Sequence, residues 1–506
     1  MSEVDRRNFI SGAGAALVVA KAGMGGTLRA QQVTPIKKSI TKQVPTIGIQ
    51  IGSISFQDEG TNKVLDNLQE KACVNALFIA AFTYGNGIAG RQLPQHPFPD
   101  HGIQKDDDFF GGNYATPHPQ YYRNTVMQPL KAPDNGGRFD VLAEVIPEAK
   151  KRGIKTYTWS EDVWNSKVPN FDIIAERDLY GRLAKTACFR NPDHHNFLMG
   201  QMEDFTRSYD IDGVLWGSER YGPFGNMIES VHLRNGNDTS RVTCFCKFCQ
   251  AAATQRGINV PRAMEGFKEL EKWVTFGRGG GKPPDGHYVT FWRVLFQYPE
   301  VLAWETMWND GVHETYQSIY DLVKSIKPQL RVGWHVWHAH SFSPFFRAQT
   351  DLHKLSKCSD FLKMTVYDNL GGTRMETYIT SASKTVYGDM PIEEALEFEY
   401  RIMGYRGRSY EELPYVGLNS SYVLNETKRC VSDVQGTKTE IWPGLDVDIS
   451  NMNVEYSHTS PPSIKACTRA CFEGGAKGLV ISRKYSEMRL ANLAAVGDAL
   501  REMKVV

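Results

Sequence analysis

The sequence predicts a (β/α)8 barrel, and three observations carry that expectation. Eight short apolar runs alternate with longer segments of helical spacing, as a parallel sheet covered by crossover helices requires. Signals for tight hairpin turns are scarce, which disfavours a propeller or a sandwich. No internal repeat of roughly 20–50 residues is present. A doubly wound sheet is the rival α/β arrangement.

Taken in order, Thr46–Phe56 reads as the first strand and Asn62–Cys73 as a helix, with Val64, Leu65, Leu68 and Ala72 on one face. Asn75–Tyr84 is a near-continuous apolar run, the second strand. A Pro/Gly/His/Tyr-rich loop follows over 86–137. Phe139–Gly153 is a helix with a basic last turn and a Gly stop, and Ile154–Trp159 is strand three. Pro192–Tyr209 is helical, and Asp212–Gly217 is strand four. Residues 223–290 form an insertion, and Phe291–Lys327 contains a long helix. Strand five is Leu330–Trp337 and strand six Phe361–Tyr367. Helices around Ile392–Met403 and Val423–Val434 lead to strand seven, Thr439–Val447. The helix Ser463–Glu473, strand eight at Gly478–Ser482 and a closing helix Leu490–Met503 complete the count. The 506 residues therefore form one barrel over 45–506, enlarged by long loops after strands two and four.

Composition narrows the function. Lys+Arg is 58 and Asp+Glu 57, so no surplus of positive charge exists to neutralise a phosphate backbone, and nucleic acid is excluded as the main partner. Ten Trp, 22 Tyr and 25 Phe suit a cleft that stacks on flat apolar ligand faces. Beyond the first thirty residues no apolar run is long enough to span a membrane. The N-terminus differs. Arg6-Arg7-Asn8-Phe9-Ile10, a weakly apolar stretch to Gly26 and Ala30 resemble a bacterial twin-arginine export signal over 1–30, with a polar linker over 31–44. A periplasmic or extracellular destination follows, and a homo-oligomer is compatible with this sequence.

Gly85-Asn86-Gly87-Ile88-Ala89-Gly90 matches G-x-G-x-x-G after a strand. A dinucleotide site needs those glycines to open a helix, which Pro94 and Pro97 forbid, so a loop is read and no nucleotide cofactor is expected.

In such a barrel the reacting groups sit at the C-terminal strand ends. These ends carry Trp159 and Glu161; Trp216 and Glu219; Trp334, His335 and Trp337; Tyr367 and Asp368; Trp442, Asp446 and Asp448; and Arg483 and Glu487. Aromatics beside carboxylates fit a carbohydrate site. One carboxyl protonates the leaving oxygen, and the other attacks or activates water. Glu219 is the candidate acid. Asp446 or Asp448 is the candidate nucleophile or base, with Asp368 and Glu487 in reserve. Trp159, Trp216, Trp334, Trp337 and Trp442 would wall the pocket, and His335, Tyr367 and Arg483 would hydrogen-bond the sugar.

Nine cysteines do not form a disulfide framework. Cys244, Cys246 and Cys249 form C-x-C-x-x-C before a helix, a spacing that suits tetrahedral zinc. Cys188 is the best fourth ligand and His232 the next. An iron–sulfur cluster is less supported, because no further cysteine is close in sequence.

The stretch Asp212 to Gly222 followed by Cys244 to Gln250 resembles glycoside hydrolase barrels, nearest to the β-galactosidases of glycoside hydrolase family 42. That resemblance implies Glu219 as acid/base and Cys244, Cys246 and Cys249 as zinc ligands, with Cys188 matching more loosely. Two positions depart from the family pattern. Ser218 replaces an Asn, and strand seven lacks the family's nucleophilic Glu at its C-terminal part, offering Asp446 and Asp448 with Glu440 at its start. An exported glycosidase is the reading. The alternatives are a metal-dependent sugar isomerase or epimerase, using Glu161, Glu219, His335 and Glu487, and a non-catalytic sugar-binding barrel.

Overall fold

The computed structural model describes residues 44–91, 99–103, 109–133, 139–229, 238–449 and 459–506. The export signal over 1–30, nearly all of the linker, and His232 lie outside the described residues.

Eight parallel strands close into a barrel. They are β1 (Thr46–Gly52), β2 (Ala76–Ala80), β3 (Lys155–Glu161), β4 (Gly213–Gly217), β5 (Arg331–Val336), β6 (Phe361–Thr365), β7 (Glu440–Asp446) and β8 (Gly478–Ser482). Closure is made by β1 against β8, with Ile47 opposite Leu479. All five residues of β2, β4, β6 and β8 are buried, which explains why these strands read as largely apolar runs.

The crossover helices start where local chemistry satisfies their first N–H groups. The Asp140 carboxylate accepts from Leu142 and Ala143 to open Val141–Lys151. Asn191 accepts from Asp193 and His194 to open Pro192–Ser208. The end of the first strand differs from the sequence expectation. The apolar run expected to extend β1 to Phe56 turns into a helix, Ser53–Glu59, in which Ile54 and Phe56 are buried. The long helix expected within 291–327 is Glu300–Ile326, preceded by the shorter His287–Gln297, and Pro299 excludes helical backbone at the residue between them.

The barrel interior is graded along its axis. Phe78, Tyr157, Phe361 and Trp442 form an aromatic floor, with Phe361 and Trp442 stacked at a centroid distance of 4.0 Å. Arg331 closes it from the N-terminal side, its guanidinium 4.6 Å from the Trp442 centroid and 3.0 Å from Glu440. Further along the strands the lining becomes polar. Ser482 Oγ donates to Gln50 Oε1 at 2.8 Å, and Lys363 lies two residues beyond Phe361 on β6.

Away from the axis, Glu399 on the helix Ile392–Met403 is fully buried without an ion-pair partner among the described residues. Its Oε2 accepts from Tyr387 at 3.0 Å. Burial pushes its carboxyl up to about 8, so it is protonated in the fold. A carboxyl raised on folding gives stability that is full below its unfolded value of about 4.3 and is lost as pH rises through about 8. Glu399→Gln mimics the protonated acid and removes that dependence. The variant should therefore gain in melting temperature relative to the wild type as pH goes from 6 to 9. A difference that stays constant over this range would show that Glu399 is not held protonated.

Candidate active site and cysteine centre

Four strands bring one polar cluster to the C-terminal mouth. Glu161 ends β3 and accepts from Trp159 Nε1 at 3.0 Å. Glu219 follows β4, and its Oε1 lies 2.8 Å from His335 Nε2 of β5. The other ring nitrogen, His335 Nδ1, is 3.0 Å from Lys363 Nζ of β6. Lys363 also donates to Tyr367 Oη at 2.8 Å. Lys363 is fully buried, and among the described residues no carboxylate lies within ion-pair distance of it. Burial therefore lowers its pKa to about 7, against the opposing pull of Glu161 and Glu219, and the nearby Arg374 adds to the lowering. Gly444 on the neighbouring strand makes room for it, since a Cβ there would stand 2.6 Å from Lys363 Cε.

Arg483 stands at the same mouth in a bidentate pair with Glu487, at 2.9 and 2.7 Å. The glycine motif after β2 packs on it. The chain makes one helical turn there, Asn86–Ala89, and a Cβ on Gly87 would meet Arg483 Nη1 at 2.8 Å. Lys484 holds this turn through three backbone carbonyls, at Asn86, Gly90 and Arg91. The motif is a close-approach device against Arg483, with no long helix for a pyrophosphate.

Glu219 and Arg220 are neighbours in sequence that turn to different partners. Arg220 is buried and bridges Asp162 at 2.7 Å and Glu176 at 2.8 Å, with its guanidinium 4.4 Å from the Phe189 ring centroid. Arg220→Met strands two buried carboxylates and should cost roughly 3–5 kcal/mol, read from denaturant unfolding. A loss under 1 kcal/mol would show that the hub does not anchor this loop.

Several expected site residues sit elsewhere. Asp446 is fully buried and accepts from the backbone N–H of Leu370 at 2.9 Å and Ile449 at 3.1 Å. Burial and the adjacent Asp368 push its carboxyl well up. Asp368 is itself raised to about 6 by burial, and Cys467 hydrogen-bonds to it. Asp448 has a left-handed backbone, φ 54°, and its carboxylate is consumed by Arg489 at 2.6 Å and Asn492 at 2.9 Å. Neither Asp446 nor Asp448 is in the Glu219 cluster, because backbone amides hold one and an ion pair holds the other. Glu440 lies at the opposite end of the barrel, against Arg331.

Of the tryptophans, Trp159 is bonded to a mouth carboxylate, Glu161. Trp216 packs on Phe189 and Tyr316, and Trp334 on Tyr316 with its Nε1 donating to Cys358 O. Trp337 packs on Tyr221 and Phe346, and Trp442 belongs to the floor. All five, Trp159 included, are at most 2% exposed, so they fill the core instead of walling an open pocket. Lys363 is the residue that sequence reasoning passed over. Its signal was visible as one lysine inside the apolar run FLKMTVY.

Behind β4 lies the cysteine centre. The ribbon of Ala175–Arg177 with Leu183–Ala187 ends at Cys188. Asp178 pairs with Thr243, and Phe245 N–H donates to Arg177 O at 2.8 Å, which lays the second cysteine loop alongside. Cys188, Cys244, Cys246 and Cys249 are all buried, with their Sγ atoms within 4.8 Å of one another. Cys188 Sγ is 3.7 Å from Cys249 Sγ and 3.5 Å from Cys246 Sγ. A tetrahedral ion with metal–sulfur bonds of about 2.3 Å needs sulfurs about 3.8 Å apart, so the four fit such an ion. Hydrogen bonds from the other three thiols draw the Cys246 thiol well below its ordinary value.

Fold and site together define a (β/α)8 barrel with a Glu/His/Lys cluster at its mouth and a four-cysteine group that could hold a metal ion behind strand four. No protein-family model and no curated protein matches this chain. Its structural neighbours are glycoside hydrolase barrels at low identity. The β-galactosidase of the Antarctic haloarchaeon Halorubrum lacusprofundi is similar with a TM-score of 0.51 and 12% identity, covering 91% of this chain and 58% of that one. The β-galactosidase of the psychrophilic Marinomonas ef1 gives 0.49 and 11%, covering 91% and 59%. An α-L-fucosidase isoenzyme from Paenibacillus thiaminolyticus gives 0.44 and 13%, covering 91% and 49%. The chain thus spans about half to three-fifths of the length of these neighbours, and the likeness is one of fold. No helix among the described residues is long and apolar enough to cross a membrane.

Proposed function

We propose that the protein is an exported glycoside hydrolase acting at the mouth of the barrel, with Glu219 as general acid and Glu161 as the second carboxylate. The observation that carries this reading is their shared placement. Both Glu161 and Glu219 act electrostatically on Lys363 and Tyr367, one steadied by Trp159 and the other by His335. Glu161 takes the role expected of Asp446 or Asp448, because those two carboxylates are engaged elsewhere. Glu219 donates a proton to the leaving glycosidic oxygen, and Glu161 attacks the anomeric carbon or activates water. Arg483 and Tyr367 are placed to bond sugar hydroxyls. The four cysteines would hold zinc, which would tie the loop after β4 to the preceding ribbon and so fix the backbone that presents Glu219.

The isomerase alternative finds less support. His335 is bonded at both ring nitrogens and Glu487 is paired with Arg483, so these residues do not converge as ligands. The fold shared with the Halorubrum lacusprofundi enzyme makes β-D-galactosides the first substrates to test.

The deciding experiment is a screen of the mature chain against aryl glycosides, followed by Glu161→Gln on the best substrate. Turnover that falls at least about a hundredfold in Glu161→Gln supports the assignment. Glycan binding with no turnover on any glycoside would replace it with the sugar-binding reading.

A further inference from the structure

Lys363, His335 and Glu219 form a chain whose donor and acceptor roles are constrained. An ammonium carries three donors and no acceptor. His335 Nδ1, at 3.0 Å from Lys363 Nζ, must therefore present its lone pair whenever the lysine is charged. A neutral imidazole has one N–H, which then sits on Nε2 and points at Glu219 Oε1, 2.8 Å away. An imidazolium would set an N–H on Nδ1 against the ammonium with no acceptor between them. The second Lys363 donor is fixed on Tyr367 Oη at 2.8 Å, and Gly444 leaves the lysine stem its channel.

We propose that Lys363, while charged, is a positioning residue that locks His335 as the Nε2–H tautomer, so that Glu219 Oε1 accepts and the proton of the acid is carried on Oε2. Resting on the reading of Glu219 as general acid, this explains why a buried lysine stands beneath the site. Without it, His335 Nε2 could present a lone pair and take the proton of Glu219 out of reach of the substrate. The lock neither forms nor breaks a covalent bond. It assigns one proton to one oxygen before the reaction begins.

The charged and titratable groups around Lys363 are Glu161 from β3, Glu219 after β4, His335 from β5, Tyr367 after β6 and Arg374 on the helix Asn369–Ala382. Arg483 faces Tyr367 and Glu161 from the end of β8. None of these carboxylates is in ion-pair contact with Lys363, so no neighbour relieves the ammonium of its bond to Nδ1.

The test needs no substrate. The protein is labelled with 15N-histidine, the His335 signals are assigned by their loss in His335→Gln, and both ring nitrogens are read at pH 6. The expected wild-type spectrum has an unprotonated Nδ1 and a protonated Nε2. In Lys363→Met the Nδ1 signal moves to the protonated position, alone or together with Nε2. A wild-type Nδ1 that carries the proton overturns the proposal whether or not the variant folds, and so does a Lys363→Met spectrum identical to the wild type. Once a substrate is known, Lys363→Met should lower kcat about ten- to a hundredfold with KM changed less than threefold, and the acid limb of its pH profile should move. A normal tautomer with no glycosidase activity would leave the lock standing and remove the role given to Glu219.

Discussion

On the proposed reading, Glu219→Gln should lower kcat on an alkyl glycoside by about 10²- to 10⁴-fold, which is the share that a positioned general acid supplies. At about 1.36 kcal/mol per tenfold, this corresponds to roughly 3–5 kcal/mol of transition-state stabilisation. Gln keeps the volume of Glu and still accepts from His335 Nε2, which lies 2.8 Å from Glu219 Oε1, so the fold and KM should change little. Only the transferable proton is lost. The loss should be smaller on an aryl glycoside with an acidic leaving group, because such a group departs with less help. Steady-state kinetics on a leaving-group series provides the check. A variant that retains near-normal kcat on alkyl glycosides would remove Glu219 from the reaction.

The second large effect is on stability. Metal analysis of the purified protein should find about one zinc per chain, and Cys188→Ser or Cys246→Ser should abolish it. The four buried sulfurs join two loops, one ending at Cys188 and one spanning 244–249, that also meet through the β-bridge of Asp178 with Thr243 and the hydrogen bonds of Phe245 N–H to Arg177 O and Thr243 to Glu176. Structural zinc supplies folding free energy directly, so its loss should cost on the order of 5 kcal/mol and lower Tm by roughly 5–10 °C. A strong chelator at elevated temperature should reproduce the shift in the wild type and leave Cys246→Ser unmoved. A protein that binds no zinc and melts normally without it would reduce the cluster to four packed thiols. The predicted effect on activity is indirect. Glu219 stands beside Arg220, whose partner Glu176 also accepts from Thr243 of the cysteine loop at 2.7 Å.

Much of the barrel was legible because its strands obey one physical rule. A strand buried on both faces is mostly apolar, so runs such as Ala76–Ala80 and Gly478–Ser482 stand out from the amphipathic helices around them. The cysteine loop was legible for a similar reason, since three thiols within six residues demand a shared partner. Residues 53–56, which open the helix Ser53–Glu59, were misread as strand because short apolar runs do not by themselves separate strand from helix. Asp446 and Asp448 were read as catalytic from their place at the end of a strand. The Leu370 N–H and the Arg489 side chain, which help occupy those carboxylates, come from distant parts of the chain, while the Ile449 N–H on Asp446 is local.

The sequence by itself determined the fold class, the candidate acid Glu219 and the C-x-C-x-x-C group, since each rests on local pattern: strand composition, a carboxylate at a strand end, and thiols at short spacing. Only the tertiary structure decided which carboxylate stands with Glu219, which tryptophans are core, and that Cys188 completes the four. It also joined Lys363 to His335, residues 28 positions apart on neighbouring strands. These are matters of contact across the barrel, and a hydrogen bond or an ion pair exists only where closure of the sheet brings its two ends within about 3 Å.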